Sequence, residues 1–193
     1  MELISVMVPC YNEEESLPLF RDEILRVMSL MPEYAFEVIF ADDGSKDGTL
    51  RLLREYAAAD ERFRYVSFTR NFGKEAAMYA LLQASKGDYV VYMDADLQDP
   101  PSLLPRMMAL LKEKGVDSIG TRRSSRKGEP PIRSFFANMF YKMINRISNV
   151  RLVPAARDYR LMSRRMADSI LSLCEYNRFS KGIFGWIGFK THW

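Results

Sequence analysis

The segment "DYVVYMDADLQDPPSLLPRMMALLKEKGVDSIGTR", residues 88–122, contains a complete strand–helix–strand unit. Its apolar start predicts a buried strand over 88–94. Apolar side chains at helical spacing predict a helix over 101–115, and a further strand is predicted over 117–122. Three carboxylates, those of Asp94, Asp96 and Asp99, crowd the end of the first strand. Because like charges repel, such a cluster is stable only if something compensates its negative charge.

The same alternation precedes this segment. Strands are predicted over 3–9, 36–42 and 64–70, and helices over 13–31, 48–59 and within 71–87. In the turn "DGSKDGT", Asp47 is the expected helix N-cap, and Gly44 and Gly48 are expected to adopt positive φ. Strands and helices that alternate every ~25 residues predict an α/β fold with a mostly parallel sheet and helices on both faces.

The chain changes character after Arg122. A basic, turn-rich loop is predicted over 122–131, and an amphipathic helix over 132–148. That helix can pack on the sheet or present a basic face to a membrane surface, and the pattern leaves both open. "RDYRLMSRRMADSILSLC" predicts a short strand and a helix, and "FSKGIFGWIGFKTHW" is an apolar, aromatic tail.

The composition is that of a soluble globular domain, with 193 residues, 48% of them hydrophobic and 27% charged. The two cysteines, Cys10 and Cys174, are too few for a disulfide framework and are expected to be buried. We find no signal peptide and no run of the ~18 apolar residues that span a bilayer.

The net charge of +3 is distributed unevenly along the chain. Residues 1–116 contain 13 basic and 20 acidic side chains, a net charge of −7, whereas residues 117–193 contain 15 and 5, a net charge of +10. The acidic part could hold a cation and the basic part could face phosphates or an anionic surface. A solvated pair of basic helices is the alternative.

Polar clusters follow all five predicted strands, and these are "CYNEE", "DDGSKDGT", "RNFGK", "DADLQD" and "TRRSSRK". Ligands of parallel sheets bind outside the carboxyl ends of the strands. The clusters are therefore expected to converge on one edge of the sheet and to form a single site there.

Asp94, Asp96 and Gln98 supply oxygen ligands at alternating positions of an extended segment. Hard oxygen ligands suit Mg²⁺ or Mn²⁺ held together with substrate phosphates, and a cation would relieve the carboxylate repulsion. The alternative is a turn cluster in which Asp99 is a cap. With His192 as the sole histidine, the sequence offers no zinc-type Cys/His cluster.

Other strand ends suggest a nucleotide. Asp42 and Asp43 can make turn hydrogen bonds or accept hydrogen bonds from a nucleoside. Tyr11 offers a ring for stacking on a base, with Asn12 and Glu13 as polar contacts. The glycine-rich signatures of dinucleotide enzymes and P-loop NTPases are missing from the sequence.

The segments "VPCYNEEESL", "DDGSKDGT", "RNFGKEAA", "MDADLQDPP" and "RDYRLMS", in this order, resemble the family 2 glycosyltransferases of the GT-A fold. Within that family the sequence is similar to the polyprenyl-phosphate glycosyltransferases, including bacterial undecaprenyl-phosphate (bactoprenol) glucosyltransferases and dolichol-phosphate mannose synthase. The resemblance extends over essentially the whole chain.

The resemblance implies specific roles for residues. The nucleotide-sugar would be bound by Pro9, Tyr11, Asn12, Glu13, Asp42, Asp43, Lys74, Asp94, Ala95 and Asp96. The metal, Mg²⁺ or Mn²⁺, would be held by Asp94, Asp96 and Gln98. The acceptor phosphate would contact Arg122, Arg126 and Arg133. Asp158, which would act near the acceptor, and Asp96 would be the catalytic residues. Residues 1–122 would form the nucleotide-sugar-binding core, and residues 123–193 the acceptor side of the same catalytic domain.

The implied reaction is metal-dependent, inverting transfer of a hexose from a UDP-sugar to a polyprenyl phosphate, without nucleic acid as a partner. The implied location is the cytoplasmic face of the bacterial plasma membrane. Relatives continue into two transmembrane helices, so an anchor is expected after residue 193, and a tetramer is possible in the full-length protein. One departure from the pattern is Ala137, where some relatives have serine.

Two alternatives stay open at this point. An enzyme of the same fold could use a sugar hydroxyl as acceptor, which would make Asp158 a true general base. The chain could also be a nucleotide-binding module without turnover. A haloacid-dehalogenase phosphatase is disfavoured, because its D-x-D motif follows the first strand, where this chain has "PCYNE".

Overall fold

A computed structural model describes residues 1–122, 139, 153, 156–173, 175 and 178–193. In these segments the strands are β1 (Glu2–Cys10), β2 (Tyr34–Asp42), β3 (Phe63–Ser67), β4 (Tyr89–Tyr92), β5 (Ser118–Arg122), β6 (Ala156–Ser163) and β7 (Thr191–His192). The α-helices are α1 (Leu17–Ser29), α2 (Thr49–Ala59), α3 (Lys74–Ala84), α4 (Leu104–Lys114), α5 (Arg164–Leu171) and α6 (Ser180–Trp186), and a 3₁₀ turn at Pro101–Leu103 precedes α4.

The strands form one sheet in the order β3-β2-β1-β4-β6-β5-β7. Strands β3, β2, β1 and β4 are parallel, β6 is antiparallel to both of its neighbours, and β5 is parallel to β7. The predicted mostly parallel sheet is therefore confirmed. Because β6 lies antiparallel between β4 and β5, its start, and not its end, reaches the carboxyl edge of the parallel strands. This arrangement places Asp158 at that edge.

Two apolar clusters fill the two faces of the sheet. On one face α1, α2 and α4 cover side chains such as Val6, Phe40 and Val91. On the other face α3, α5 and α6 cover Ile39 and Tyr92, among others. The prediction of helices on both faces is thus confirmed. Central strands such as β1 are buried on both faces because both sides of the sheet are covered.

Several local predictions need correction. Helix α1 begins at Leu17 and not at 13, with Pro18 in its first turn, where the missing amide hydrogen costs no hydrogen bond. Gly48, and not Asp47, occupies the N-cap position of α2, and its φ of −76° is not positive. Gly44 does adopt the expected positive φ, at 69°. The aromatic tail forms α6 and β7.

Cys10 is buried, as expected. In the described part of the chain, no helix has the length and apolar character that a membrane crossing requires. Cys174, the predicted loop after Arg122 and the predicted helix over 132–148 lie outside the described residues.

Candidate active site

A pocket of about 340 Å³ opens at the carboxyl edge of the parallel strands. It is lined by Pro9, Cys10, Tyr11, Glu13, Asp43, Asn71, Gly73, Lys74, Ala77, Asp94, Ala95 and Asp96. Eight of the ten residues predicted to bind a nucleotide-sugar are among these. The expected convergence of the strand ends is thus visible for the ends of β1, β2, β3 and β4.

The two predicted residues outside the lining, Asn12 and Asp42, connect the surrounding loops. The Asp42 carboxylate is buried and accepts hydrogen bonds from the Ser45 amide and the Ser67 hydroxyl, both at 3.0 Å. Asn12 has a φ of 56°, and its Oδ1 accepts a hydrogen bond of 2.9 Å from the Lys46 amide. Asp42 makes the turn contacts that the sequence allowed, whereas the loop contact of Asn12 was not predicted. A direct contact of either with a nucleoside stays a prediction.

Asp43 fixes one wall of the pocket. Its carboxylate accepts hydrogen bonds from the amides of Phe72, at 2.6 Å, and Gly73, at 2.9 Å. Gly44 supports the same wall, because a side chain at its φ of 69° would lie 2.4 Å from the backbone carbon of Arg70. The loop after β3 therefore has its position set by the loop after β2.

The three carboxylates of the acidic loop after β4 have three different partners. Asp94 pairs with Lys74 at 2.7 Å, and Asp99 is buried and pairs with Arg157 at 3.0 Å. Asp96 is exposed, and its carboxylate accepts a hydrogen bond from the backbone amide of Gln98. Leu97, the residue between them, has a positive φ of 57°. Asp99 is thus a buried ion-pair partner, and the interpretation of Asp99 as a cap is wrong.

Asp94 and Asp96 both line the pocket, and their hard oxygen donors fit Mg²⁺ or Mn²⁺. Among the described residues, no group of three or more acidic, histidine or cysteine side chains could hold a metal alone. A cation here would need further oxygen ligands from a substrate or water. The Gln98 side chain is exposed and is not part of the lining, so its role as a ligand stays a prediction.

Lys74, the first residue of α3, connects the acidic loop to β6. Its ammonium group lies 2.7 Å from Asp94 Oδ1 and 2.9 Å from Asp158 Oδ2. Burial opposes the charge on Lys74, but Asp94 and Asp158 outweigh it and raise the lysine pKa. Burial likewise favours neutral Asp158, but the hydrogen bond and charge of Lys74 and the charge of Lys181 lower the pKa of Asp158. Asp158 is therefore an ionised carboxylate and a weak base.

Of the three arginines predicted to meet the acceptor phosphate, Arg122 is exposed at the end of β5. Arg126 and Arg133 lie outside the described residues. Sequence reasoning missed four residues of the lining, although all of them lie in the quoted segments "VPCYNEEESL" and "RNFGKEAA": Cys10, Asn71, Gly73 and Ala77. It also missed Lys181, whose signal is a lysine near the start of the apolar tail.

Comparison with known proteins identifies the family. The model of the family described as "Glycosyl transferase family 2" matches residues 5–171. The chain belongs to glycosyl transferase family 2. The resemblance inferred from the five sequence segments is thereby confirmed.

Similar curated proteins include the bactoprenol glucosyl transferase of Shigella phage SfX, which is 40% identical over 97% of this chain. The prophage bactoprenol glucosyl transferase homolog of Escherichia coli is 39% identical over the same share. The chain spans 61% of the length of each of these two relatives.

Solved structures show the same fold. The mannosyltransferase PcManGT from Pyrobaculum calidifontis, in complex with GDP-Man and Mn²⁺, superposes with a TM-score of 0.64 at 19% identity, over 97% of this chain and 53% of that one. Glucosyl-3-phosphoglycerate synthase from Mycobacterium tuberculosis superposes with a TM-score of 0.56 at 24% identity, over 86% of this chain and 57% of that one. The α/β fold is therefore the GT-A fold.

Proposed function

We propose that this chain transfers a hexose from a UDP-sugar, UDP-glucose or a close analogue, to a polyprenyl phosphate. The observation that carries the proposal is the position of Lys74. Its ammonium group contacts both Asp94, which lines the pocket together with Asp96, and the ionised Asp158. Relatives at about 40% identity are named bactoprenol glucosyl transferases, which supports this donor and acceptor.

In the proposed binding mode, the nucleoside lies against the ring of Tyr11, which is 43% exposed at the pocket. The diphosphate faces the acidic loop, where Asp94 and Asp96 would hold the divalent cation. A cation held by these two carboxylates would offset the charge that grows on the leaving diphosphate. A structure of a fold relative contains Mn²⁺ with a nucleotide-sugar, which supports such a requirement here.

The transfer step needs little proton chemistry. A phosphate oxygen of the acceptor forms a bond to the anomeric carbon while the bond from that carbon to the diphosphate breaks, so UDP leaves and the configuration inverts. An acceptor phosphate is largely ionised near neutral pH and has no proton that must be removed. Asp158, a weak base held by Lys74, suits this acceptor better than a sugar hydroxyl, which would need a strong base.

The proposed acceptor is a membrane lipid, so the proposed place of action is the cytoplasmic face of the plasma membrane. The basic residues 117–193 would face the anionic lipid phosphates and the membrane surface. Arg122, at the end of β5, lies at that edge of the sheet and is exposed.

The proposal is tested by incubating the chain with a panel of nucleotide-sugars and a short-chain prenyl phosphate in the presence of Mg²⁺ or Mn²⁺. We expect a glycosylated prenyl phosphate from a UDP-hexose, identified by mass spectrometry. Product from a soluble sugar acceptor but not from prenyl phosphate would favour the hydroxyl-acceptor alternative. Absence of turnover with any donor would favour a binding module.

A further inference from the structure

Asp158 lies between ammonium groups from two different helices. Lys74 Nζ is 2.9 Å from one carboxylate oxygen, and Lys181 Nζ of α6 is 3.6 Å from the other. Lys74 belongs to the lining of the pocket, whereas Asp158 and Lys181 do not. Lys74 therefore separates the pocket from a second charged region that contains Lys181.

Contacts on both sides hold Lys181 in this place. The preceding residue, Ser180, is buried and donates its amide to both oxygens of Glu75 at 3.1 Å and its hydroxyl to one of them at 2.5 Å. Phe184, one helical turn later, is buried with its ring centroid 6.4 Å from that of Tyr92. The start of α6 is thus anchored to α3 and to the sheet.

One lysine would be enough for a structural ion pair with Asp158, because Lys74 already makes a direct hydrogen bond to it. Lys74 also pairs with Asp94, so the second lysine balances the charges of the two carboxylates. The lysine side chains are also more accessible, at 43% exposed for Lys74 and 36% for Lys181 against 23% for Asp158. An anion that approaches from solvent therefore has more access to the two lysine side chains than to the side chain of Asp158.

We propose that Lys181, together with Lys74, binds the phosphate of the acceptor, and that Asp158 holds the two ammonium groups in position. This inference rests on the proposed function and adds a residue to its acceptor site. It assigns Asp158 the role of a positioning residue and not of a proton acceptor. Ammonium groups bind phosphate oxygens through charge-assisted hydrogen bonds, so the loss of one should weaken acceptor binding specifically.

The test compares Lys181→Met with wild type, with Lys181→Arg and with the control Lys114→Met. Lys114 is exposed at the far end of α4 and pairs with Glu113. UDP-glucose and farnesyl phosphate are varied separately in steady-state assays. We expect Lys181→Met to raise the KM for farnesyl phosphate by about tenfold or more, the loss of one charge-assisted hydrogen bond. The KM of Lys181→Met for UDP-glucose should change less than about twofold. Lys181→Arg should recover most of the lost affinity for farnesyl phosphate, and Lys114→Met should match wild type.

An unchanged acceptor KM in folded Lys181→Met, or equal rises in both KM values, would overturn the inference while leaving the proposed function intact. Absence of product from farnesyl phosphate with wild type would refute the proposed acceptor, and the inference with it. A second measurement needs no variant. Bound farnesyl phosphate should slow acetylation of Lys181 in wild type, followed by mass spectrometry, and an unchanged acetylation rate would also overturn the inference.

Discussion

Removal of Arg157 should destabilise the acidic loop by leaving the buried Asp99 carboxylate without a cation. The two side chains are 10% and 24% exposed and meet at 3.0 Å. Breaking a fully buried ion pair costs ~3–5 kcal/mol, and we expect the lower value of about 3 kcal/mol, because Arg157 is partly solvated. For a chain of this length, that loss lowers the melting temperature by about 6–12 °C.

The assay is thermal and urea unfolding of Arg157→Met, Asp99→Asn and the double variant. The double variant should be more stable than the sum of the single losses predicts, because it leaves no unpaired charge. Burial is the largest influence on Asp99 and raises its pKa, although Arg157 opposes it. The ionised form is therefore the costly one, and the deficit of Arg157→Met should shrink as the pH falls. A loss below about 1 kcal/mol, or strict additivity in the double variant, would refute the reasoning.

Two further changes test the pocket wall and a buried carboxylate near the start of β4. Gly44→Ala should lower the free energy of unfolding by more than the ~1–2 kcal/mol that a left-handed alanine costs, because its Cβ would lie 2.4 Å from the backbone of Arg70. The variant should also bind UDP more weakly, because the pocket wall moves. A folded variant with unchanged UDP affinity in calorimetry would contradict this. Glu37 is buried, and although burial opposes its charge, its hydrogen bonds with Ser5 and the Lys86 amide and its pairing with Arg64 lower its pKa. Glu37→Gln should therefore lower the free energy of unfolding by about 1.5–3 kcal/mol at neutral pH. In urea unfolding, this difference from wild type should decrease as the pH falls below 4.5, the ordinary pKa of a glutamate. A difference that does not depend on pH would contradict the reasoning.

The sequence predicted those parts of the fold that depend on local pattern. Strands β1 to β4 and their helices follow from apolar periodicity, and the rule that parallel strand ends converge placed most of the pocket lining correctly. Tyr11, Asp43 and Asp94 are examples from three different strand ends.

What the sequence did not predict depends on long-range pairing. Nothing local in "RDYRLMS" indicates that β6 inserts antiparallel between β4 and β5, yet this insertion brings Asp158 to Lys74. Asp99 pairs with a residue 58 positions away. Helix α6 is short and contains Gly182, so its helical propensity is low. Packing of Phe184 and the contact of Ser180 with Glu75 stabilise it instead.

The central claim is that Asp94 and Asp96 bind a divalent cation shared with the diphosphate of a UDP-sugar. Calorimetric titration of UDP with and without Mn²⁺ tests it most directly, on wild type, Asp96→Asn and the control Asp22→Asn, whose side chain is 75% exposed on α1. We predict that Mn²⁺ tightens UDP binding in wild type and in the control, and that Asp96→Asn abolishes this effect. Equal UDP affinity with and without Mn²⁺ in wild type, or a full Mn²⁺ effect in Asp96→Asn, would contradict the claim.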